Sequence, residues 1–269
     1  MTTTAPRQPA AVIQSRWPGS HPYAQVMPRP LVAFLTGAGI STDSGIPDYR
    51  GPAGLWTRHP EYEKLVTYSY YMADPAIRQR SWQMRRETLA SGPQPNAAHQ
   101  AIAALAASRA AAVRVITQNI DGLHQAAGLP DRQVLELHGT SRFVVCTSCA
   151  TREPITDVLG RIDEGLPDPP CVECGGILKT ATVMFGEALD PGVLQAAAAV
   201  VRGCSVLFAV GTSLQVYPAA GLVPLAVEAG ARLVIVNASP TPYDSIASSV
   251  VREPIGTALP RLLRELAAA

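Results

Sequence analysis

The chain has 269 residues, of which 47% are hydrophobic and 16% charged, and its 22 Lys and Arg against 21 Asp and Glu leave a net charge of +1. This composition excludes a disordered chain, and the small net charge provides no electrostatic drive toward nucleic acid or anionic lipid. No apolar run reaches the length of about 18 residues that a membrane span needs, and residues 1–30 lack the apolar segment of a secretory signal. We therefore expect a cytoplasmic protein in which residues 1–28 form a disordered extension.

Short apolar runs along the chain predict the buried strands of one parallel sheet. The runs lie at 31–36, 113–117, 206–210 and 233–237, and they are apolar almost throughout, which is typical of strands covered on both faces. Helical patterns lie at 97–107, 193–201, 219–229 and 259–268. Strands and helices that alternate in this way predict an α/β fold with a Rossmann-like, doubly wound parallel sheet.

Two regions interrupt this alternation. Residues 52–92 contain two of the three Trp residues and no clear strand, which indicates a helical insertion. Residues 140–180 contain two cysteine pairs separated by a proline-rich stretch, which indicates a small inserted module. We therefore expect one domain over 29–269 that carries both insertions.

The first apolar run ends in a glycine-rich turn, Gly37-Ala-Gly-Ile-Ser41, followed by Ser44-Gly45. Glycines at such a turn let the backbone approach a pyrophosphate, and a helix that follows would direct its N–H groups and positive dipole end at it. The third glycine comes six residues after the second instead of three, so the dinucleotide fingerprint is imperfect. Taken alone, this turn is equally compatible with an ordinary junction between a strand and a helix.

The cysteines form two C-x2-C pairs, Cys146/Cys149 and Cys171/Cys174. Four thiolates complete the tetrahedral coordination of zinc and leave no position for water, so this spacing predicts a structural zinc ion. The alternative is four reduced thiols without a metal. Cys204 adjoins an apolar run and is predicted to be a small core residue.

Polar side chains follow several of the predicted strands. They occur in Thr117-Gln-Asn-Ile-Asp-Gly-Leu-His124, in Glu136-Leu-His-Gly139, in Gly211-Thr-Ser-Leu214 and at Asn237. In open α/β sheets, ligands bind outside the carboxyl ends of the strands. His138 offers an imidazole that titrates near neutral pH, although a single histidine is more often structural than catalytic.

In combination, these motifs resemble the sirtuins, the NAD-dependent protein lysine deacylases. The resemblance extends from about residue 31 to residue 263. The motifs that carry it are Gly37-Ala-Gly-Ile-Ser-Thr-Asp-Ser-Gly-Ile-Pro-Asp-Tyr-Arg50, Gly54-Leu-Trp56, Thr117-Gln-Asn-Ile-Asp-Gly-Leu-His124, Leu137-His-Gly139, the four paired cysteines, Met184-Phe-Gly-Glu187 and Gly211-Thr-Ser213.

The resemblance implies a Rossmann-like domain and a zinc-bearing module that hold NAD between them. It places Gly37–Gly39 at the pyrophosphate, Asp121 at the nicotinamide carboxamide and Asn237 in the adenosine half of the site. Tyr49 stands where the family usually has Phe, in a loop that closes over the nicotinamide ribose. The residues implied at NAD are Gly37, Ala38, Gly39, Ile46, Asp48, Tyr49, Arg50, Trp56, Gln118, Asn119, Ile120, Asp121, Gly211, Thr212, Ser213, Asn237, Ala238, Ser239 and Ile255.

The implied catalytic residues are His138 and Asn119. His138 would accept the proton of the ribose 2′-hydroxyl, which is general-base catalysis suited to an imidazole. The products would be free lysine, nicotinamide and O-acetyl-ADP-ribose. The substrate peptide would add as a strand beside Val183, Met184, Phe185 and Gly186 and beside residues 211–216.

The acyl preference is less clear from the sequence. Sirtuins that remove succinyl or malonyl groups carry a Tyr-x-x-Arg pair in the helical insertion, and here the corresponding residues are Trp82 and Arg85. Arg85 offers a partner for a carboxylate, whereas Trp82 lacks the phenol. We therefore expect a deacetylase, and the alternative is a desuccinylase or demalonylase.

Three other functions remain possible at this point. A mono-ADP-ribosyltransferase would use the same NAD site, a non-catalytic NAD- or acyl-lysine-binding module would not need a base such as His138, and an NAD dehydrogenase has little support in the sequence. We expect acylated-lysine proteins as substrates, no nucleic-acid or membrane partner, and a monomer.

Overall fold

The computed structural model describes residues 29–48, 54 and 58–268. Its strands are β1 (Leu31–Thr36), β2 (Ala112–Thr117), β3 (Val134–Glu136), β4 (Gly139–Cys146), β5 (Arg152–Pro154), β6 (Leu178–Thr182), β7 (Val206–Val210), β8 (Arg232–Val236) and β9 (Ser249–Val251). Its α-helices are α1 (Tyr68–Ala73), α2 (Pro75–Ala90), α3 (Ala97–Ser108), α4 (Leu123–Ala126), α5 (Ile155–Asp163), α6 (Pro191–Gly203), α7 (Leu222–Glu228) and α8 (Ile255–Ala268).

A six-stranded parallel sheet in the order β3-β2-β1-β7-β8-β9 forms the larger part of the fold. Successive side chains of β1 point to opposite faces: Val32 and Phe34 pack against α3 and α8, whereas Ala33 and Leu35 pack against α6 and α7. Both faces are therefore covered, which explains why the strands are apolar throughout. This arrangement confirms the predicted doubly wound α/β fold.

The cysteine-bearing module is built on a second sheet, antiparallel and in the order β5-β4-β6. Its core combines residues of the sheet with α5 and with Trp82 of α2. The side chain of Trp82 is 1% exposed, so it links the helical insertion to this module.

The structure differs from the sequence prediction at several element boundaries. The last helix begins at Ile255, four residues before the predicted start, and includes Pro260 in its interior. The predicted helix at 219–229 is a 3-10 turn at Ala219–Gly221 followed by α7, and the predicted strand at 233–237 is shifted by one residue to Arg232–Val236.

The predicted extension over residues 1–28 lies outside the described residues. No helix in the described part of the chain combines the length and the apolar character that crossing a bilayer requires.

Candidate active site and metal centre

The glycine-rich turn after β1 packs directly against the turn after β7. The amide of Gly37 donates to the carbonyl of Val210 at 3.1 Å, and the amide of Gly39 donates to the carbonyl of Gly211 at 2.9 Å. A Cβ atom on Gly39 would lie 2.8 Å from the Cα atom of Gly211, and Gly211 itself has a φ of +60°. Only glycine therefore permits this close approach, which leaves a backbone-lined edge at the carboxyl ends of β1 and β7.

The helix expected after this turn is not formed up to Asp48. Two 3-10 turns take its place, Ala38–Ile40 and Thr42–Ser44. The contribution of a helix dipole to anion binding, expected from the sequence, is therefore wrong for this segment, because so short a turn aligns few peptide dipoles. The glycines permit the close packing of the two turns, and their place at a pyrophosphate stays a prediction.

Asn119 lies at the centre of a hydrogen-bonded network behind the glycine turn. Its side chain is buried, and its Nδ2 atom donates to the carbonyl of Gly37 and to Oγ of Ser41, both at 3.1 Å. Ser41 in turn donates to Oδ2 of Asp121 at 2.8 Å. The other carboxylate oxygen of Asp121 accepts from the amide of Leu123 at 2.9 Å. The network fixes the orientation of Asn119 and Asp121.

A second buried chain of polar groups supports this network from beneath. The hydroxyl of Thr36 donates to Oγ1 of Thr117 at 2.8 Å, and Thr117 accepts from the amide of Asn119 at 3.0 Å. Nε2 of His124 lies 3.0 Å from the Thr36 hydroxyl. Because that hydroxyl already donates its proton to Thr117, Nε2 of His124 is the donor in this contact. Burial, together with the neighbouring His99, lowers the pKa of His124 to about 3. His124 is therefore neutral and structural.

His138 lies between β3 and β4, beside the end of β2. Its Nδ1 atom lies 2.9 Å from the carbonyl oxygen of Gln118. Because a carbonyl only accepts, Nδ1 carries the proton and Nε2 keeps its lone pair. Burial lowers the pKa of His138, although the bond to Gln118 opposes this effect. The imidazole is thus a neutral base at pH 7.

The residues predicted for the adenosine half follow β7 and β8. Thr212 is buried and accepts from Nε2 of Gln118 at 3.0 Å, which connects this half to the end of β2. Nδ2 of Asn237 donates to the carbonyl of Ser239 at 2.8 Å, whereas Ser213 is exposed. Ile255 begins α8, a helix that contacts the Ala38–Ile40 turn and places Gly256 beside Asp43 of the following turn.

The segment predicted to receive the peptide, residues 183–187, follows β6. The amide of Val183 donates to the carbonyl of His138 at 2.8 Å, and the amide of Phe185 donates to the carbonyl of Val66 at 2.9 Å. Phe185 and Gly186 are exposed, whereas Met184 is buried. Phe185 and Gly186 also line a pocket of about 500 Å³ with residues 60–70 of the helical insertion.

The two residues predicted to select the acyl group occupy different environments. Trp82 belongs to the core of the cysteine-bearing module, where it packs in one cluster with Cys146 and Cys171. Arg85 is half-buried and, with Arg78, opposes the rise that burial and Asp168 impose on the pKa of Tyr71. The burial of Trp82 favours a packing role, and a role of Arg85 in acyl recognition stays a prediction.

The four paired cysteines converge at one end of the small sheet. All four Sγ atoms lie within 4.8 Å of one another, and none of these cysteines forms a disulfide. The Sγ atoms of Cys146 and Cys174 are 3.5 Å apart, and those of Cys149 and Cys171 are 3.7 Å apart. A tetrahedral zinc ion with bonds of about 2.3 Å requires separations of about 3.8 Å between its sulfur ligands. The donor set and its spacing therefore fit a structural zinc ion.

Some predicted residues lie outside the described part of the chain, and some contributors were not predicted. Tyr49, Arg50 and Trp56 fall among the residues that the structure does not describe. Ser41 was not predicted as a site residue, although its place in the glycine-rich motif was a usable signal. His124 ends the Thr117–His124 motif that the sequence singled out, but the buried Thr36 carried no signal beyond its residue type, and only the fold brings the two together.

Comparison with known proteins agrees with this arrangement. A protein-family model described as the Sir2 family matches residues 37–218. The chain is 67% identical over 238 residues to NAD-dependent protein deacetylase 2 of Streptomyces coelicolor, a match that covers 88% of this chain and 98% of the relative. It is 42% identical over 234 residues to the NAD-dependent protein deacetylase of Thermodesulfovibrio yellowstonii, which covers 86% of this chain and 88% of the relative.

Solved structures with the same fold contain ligands of two kinds. A Sir2 protein with a deacetylated p53 peptide and 3′-O-acetyl ADP-ribose has a TM-score of 0.77 and 34% identity, covering 87% of this chain and 93% of that chain. A Sir2 homologue in complex with ADP-ribose has a TM-score of 0.78 and 35% identity, covering 88% of this chain and 91% of that chain.

Proposed function

Because this chain belongs to the Sir2 family and is an NAD-dependent protein deacetylase, we propose that His138 is its general base. In this proposal, the acetyl group passes from a lysine side chain of a protein to the ADP-ribose part of NAD, one water is consumed, and the products are lysine, nicotinamide and O-acetyl-ADP-ribose. NAD, when bound, supplies the ribose that receives the acetyl group after nicotinamide leaves. Nε2 of His138 accepts the proton of the ribose 2′-hydroxyl.

The observation that carries this proposal is the bond between Nδ1 of His138 and the carbonyl of Gln118, at 2.9 Å. It fixes both the tautomer and the direction of the imidazole, as a general base requires. Gln118 also donates to Thr212, so the strand end that orients the base is connected to the adenosine half of the proposed cofactor site.

The groups that we assign to NAD lie along the carboxyl ends of β1, β2, β7 and β8. The Gly37–Gly39 turn supplies the close backbone approach that a pyrophosphate needs. The network of Asn119, Ser41 and Asp121 holds its polar side chains in place before any ligand arrives. Such preorganisation lowers the cost of orienting NAD.

We assign the acetyl-lysine peptide to residues 183–187 on one side and residues 211–216 on the other. Added strands bind mostly through their backbone and tolerate many sequences. The direct bond from the amide of Val183 to the carbonyl of His138 keeps this segment next to the base. The substrate proteins are therefore defined mainly by an accessible acetyl-lysine in an extended segment.

Acetyl is the acyl group that we favour. Half of the Tyr-x-x-Arg pair that would bind an acidic acyl group is missing, since Trp82 stands at the Tyr position and is buried in the core of the cysteine-bearing module. Arg85 alone provides one charged contact, which discriminates between acidic and neutral acyl groups less strongly than the complete pair.

The test is nicotinamide release, measured by HPLC with an acetyl-lysine peptide, a succinyl-lysine peptide or no peptide. We expect release that requires peptide and is faster with acetyl than with succinyl. Mass spectrometry of the peptide should show the loss of the acetyl group. Release without a peptide, together with a gain of ADP-ribose on added protein, would instead favour an ADP-ribosyltransferase. Absence of release would indicate a binding module, and a change in absorbance at 340 nm would indicate a dehydrogenase.

We also place the protein in the cytoplasm. All five cysteines are free thiols, and four of them are arranged for a metal. Thiols of this kind persist in reducing compartments. Localisation of a tagged copy by fluorescence tests this placement.

A further inference from the structure

We propose that Lys179 and Glu187 form a positioning pair that holds the peptide-binding segment, residues 183–187, in its binding conformation. This inference rests on the proposed function, because it assigns a role within the same site. Its experimental signature is a loss of peptide affinity without a loss of NAD affinity.

The pair closes both ends of the segment. Nζ of Lys179 donates to the carbonyl of Thr182 at 2.7 Å and to Oε2 of Glu187 at 2.9 Å. The same Oε2 atom accepts from the amide of Met184 at 2.9 Å. The ammonium group of Lys179 therefore connects Thr182, which precedes the segment, to Glu187, its last residue. The same carboxylate oxygen of Glu187 also binds the amide of Met184, the second residue of the segment.

The backbone between these points forms a tight turn. The amide of Glu187 donates to the carbonyl of Met184 at 3.0 Å, and Gly186 has a φ of +92°. A bond between the first and fourth residues with a positive φ at the third is the pattern of a type II turn. The turn exposes Phe185 and Gly186, the residues that we assign to the substrate.

The segment is also connected to the base and to the helical insertion. Val183 donates to the carbonyl of His138, and Phe185 exchanges backbone hydrogen bonds with Val66 and Tyr68. A displacement of the turn would therefore change the distance between peptide and base.

The burial of the pair supports positioning over a surface role. The side chain of Lys179 is 9% exposed and that of Glu187 is 24% exposed. Such a pair gives little net stability compared with an apolar replacement, but removal of one partner leaves the other charge poorly compensated. Lys179 is also one of only two lysines in the chain, whereas arginine serves most other ion pairs.

The experiment compares Lys179→Met, Lys179→Arg, Glu187→Gln and the double variant Lys179→Met/Glu187→Gln. For Lys179→Met and Glu187→Gln we expect the KM for an acetyl-lysine peptide to rise at least about tenfold, the order of effect of losing a charge-assisted hydrogen bond. The KM for NAD and the kcat at saturating peptide should stay within about threefold. Lys179→Arg should keep most of the peptide affinity. The double variant should have a peptide KM no higher than that of either single variant, because the two residues act as a unit.

A second readout does not depend on turnover. Binding of a fluorescent acetyl-lysine peptide, followed by anisotropy without NAD, should weaken in Lys179→Met by the same factor as the KM rises. The control is Arg161→Met, which breaks a 2.8 Å ion pair with Glu153 inside the cysteine-bearing module, where both side chains are 18% exposed. This control should lower stability and leave peptide affinity unchanged.

The outcomes separate this inference from the proposed function. If the wild-type protein releases no nicotinamide with any acyl peptide, the proposed function fails. If the wild-type protein is active but Lys179→Met keeps its peptide affinity, the positioning role fails. The positioning role also fails if Arg161→Met weakens peptide binding as much as Lys179→Met, because a general loss of stability then explains both.

Discussion

Nδ1 of His138 lies 2.9 Å from the carbonyl oxygen of Gln118, and this contact determines which nitrogen of the imidazole is basic. The carbonyl accepts the Nδ1 proton, so Nε2 keeps its lone pair. The contact also connects the base to Gln118, whose side chain reaches Thr212 at the end of β7, on the far side of β1 in the sheet. The geometry of the base is thus set by the same strand that we assign to the cofactor.

The first prediction concerns this base. We expect His138→Ala to abolish deacetylation while NAD binding survives, because the imidazole acts on a proton and does not hold the dinucleotide. Loss of a general base typically costs a factor of about 10² to 10⁴. Calorimetric titration measures NAD binding, and HPLC of the products measures deacetylation.

The control for His138→Ala is His59→Ala, since His59 lies on the surface with half of its side chain exposed. Full turnover in His138→Ala would remove this residue from the mechanism.

The second prediction concerns stability at acid pH. Burial lowers the pKa of His124 to about 3, below the value of about 6.5 for an exposed imidazole. Between these values the unfolded chain binds one more proton than the folded chain, so stability is lost as the pH falls below about 6.5. We expect His124→Gln to reduce the slope of the free energy of unfolding against pH by up to about 1.4 kcal/mol per pH unit, the limit for one titrating group.

Urea denaturation at pH 7, 6 and 5 measures the slope for His124. His59→Gln serves as the control because it removes an exposed histidine. Identical slopes in the wild-type protein and in His124→Gln would show that His124 is protonated in the fold.

The third prediction concerns the metal centre. Four thiolates leave no open coordination position, so the ion contributes to folding and not to chemistry. We expect Cys171→Ser, or a strong chelator, to unfold the cysteine-bearing module and to abolish activity indirectly. Cys204→Ala should keep the metal, since Cys204 lies in the core of the large sheet and outside the cysteine cluster. Elemental analysis that finds less than about 0.5 mol of zinc per chain in active protein contradicts the assignment, because such a site binds one ion.

The fourth prediction concerns the contact between the two glycine turns. A Cβ atom on Gly39 would lie 2.8 Å from Cα and 2.9 Å from the carbonyl oxygen of Gly211, both of them rigid backbone atoms. We expect Gly39→Ala to cost about 1–3 kcal/mol, as overpacking does, and to weaken NAD binding because the turn is displaced. Gly203→Ala is the control, since nothing lies within 4 Å of its Cβ position. Equal stability and NAD affinity in the two variants would show that the turns separate freely.

The sequence predicted the large sheet well because its strands are marked by continuous apolar runs. It missed β3 and β9, which have only three residues each and no distinct pattern. It predicted the cysteine cluster because C-x2-C spacing is specific, but not the antiparallel sheet that carries it. The network of Asn119, Ser41 and Asp121 joins residues about 80 positions apart, and no local pattern records such a contact. The helix expected after Gly39 is replaced by two 3-10 turns, Ala38–Ile40 and Thr42–Ser44, and the imperfect spacing of the glycines did not distinguish these turns from a helix.

The last prediction concerns the acyl group. Trp82 is 1% exposed within the core of the cysteine-bearing module, so we expect Trp82→Phe to cost on the order of 1–2 kcal/mol and to leave the ratio of succinyl to acetyl activity unchanged. Arg85 is half-buried, and a carboxylate is the only part of a succinyl group that an arginine can bind more strongly than an acetyl methyl. If the enzyme has measurable succinyl activity, Arg85→Met should lower its kcat/KM about 10- to 150-fold, the range for a charge-assisted bond of 1.5–3 kcal/mol. The acetyl activity should change only a few fold. Rates measured with matched acetyl and succinyl peptides check both variants. A ratio that stays constant in Arg85→Met would show that Arg85 packs the helical insertion, whereas a ratio that changes in Trp82→Phe would place the indole at the acyl group despite its burial.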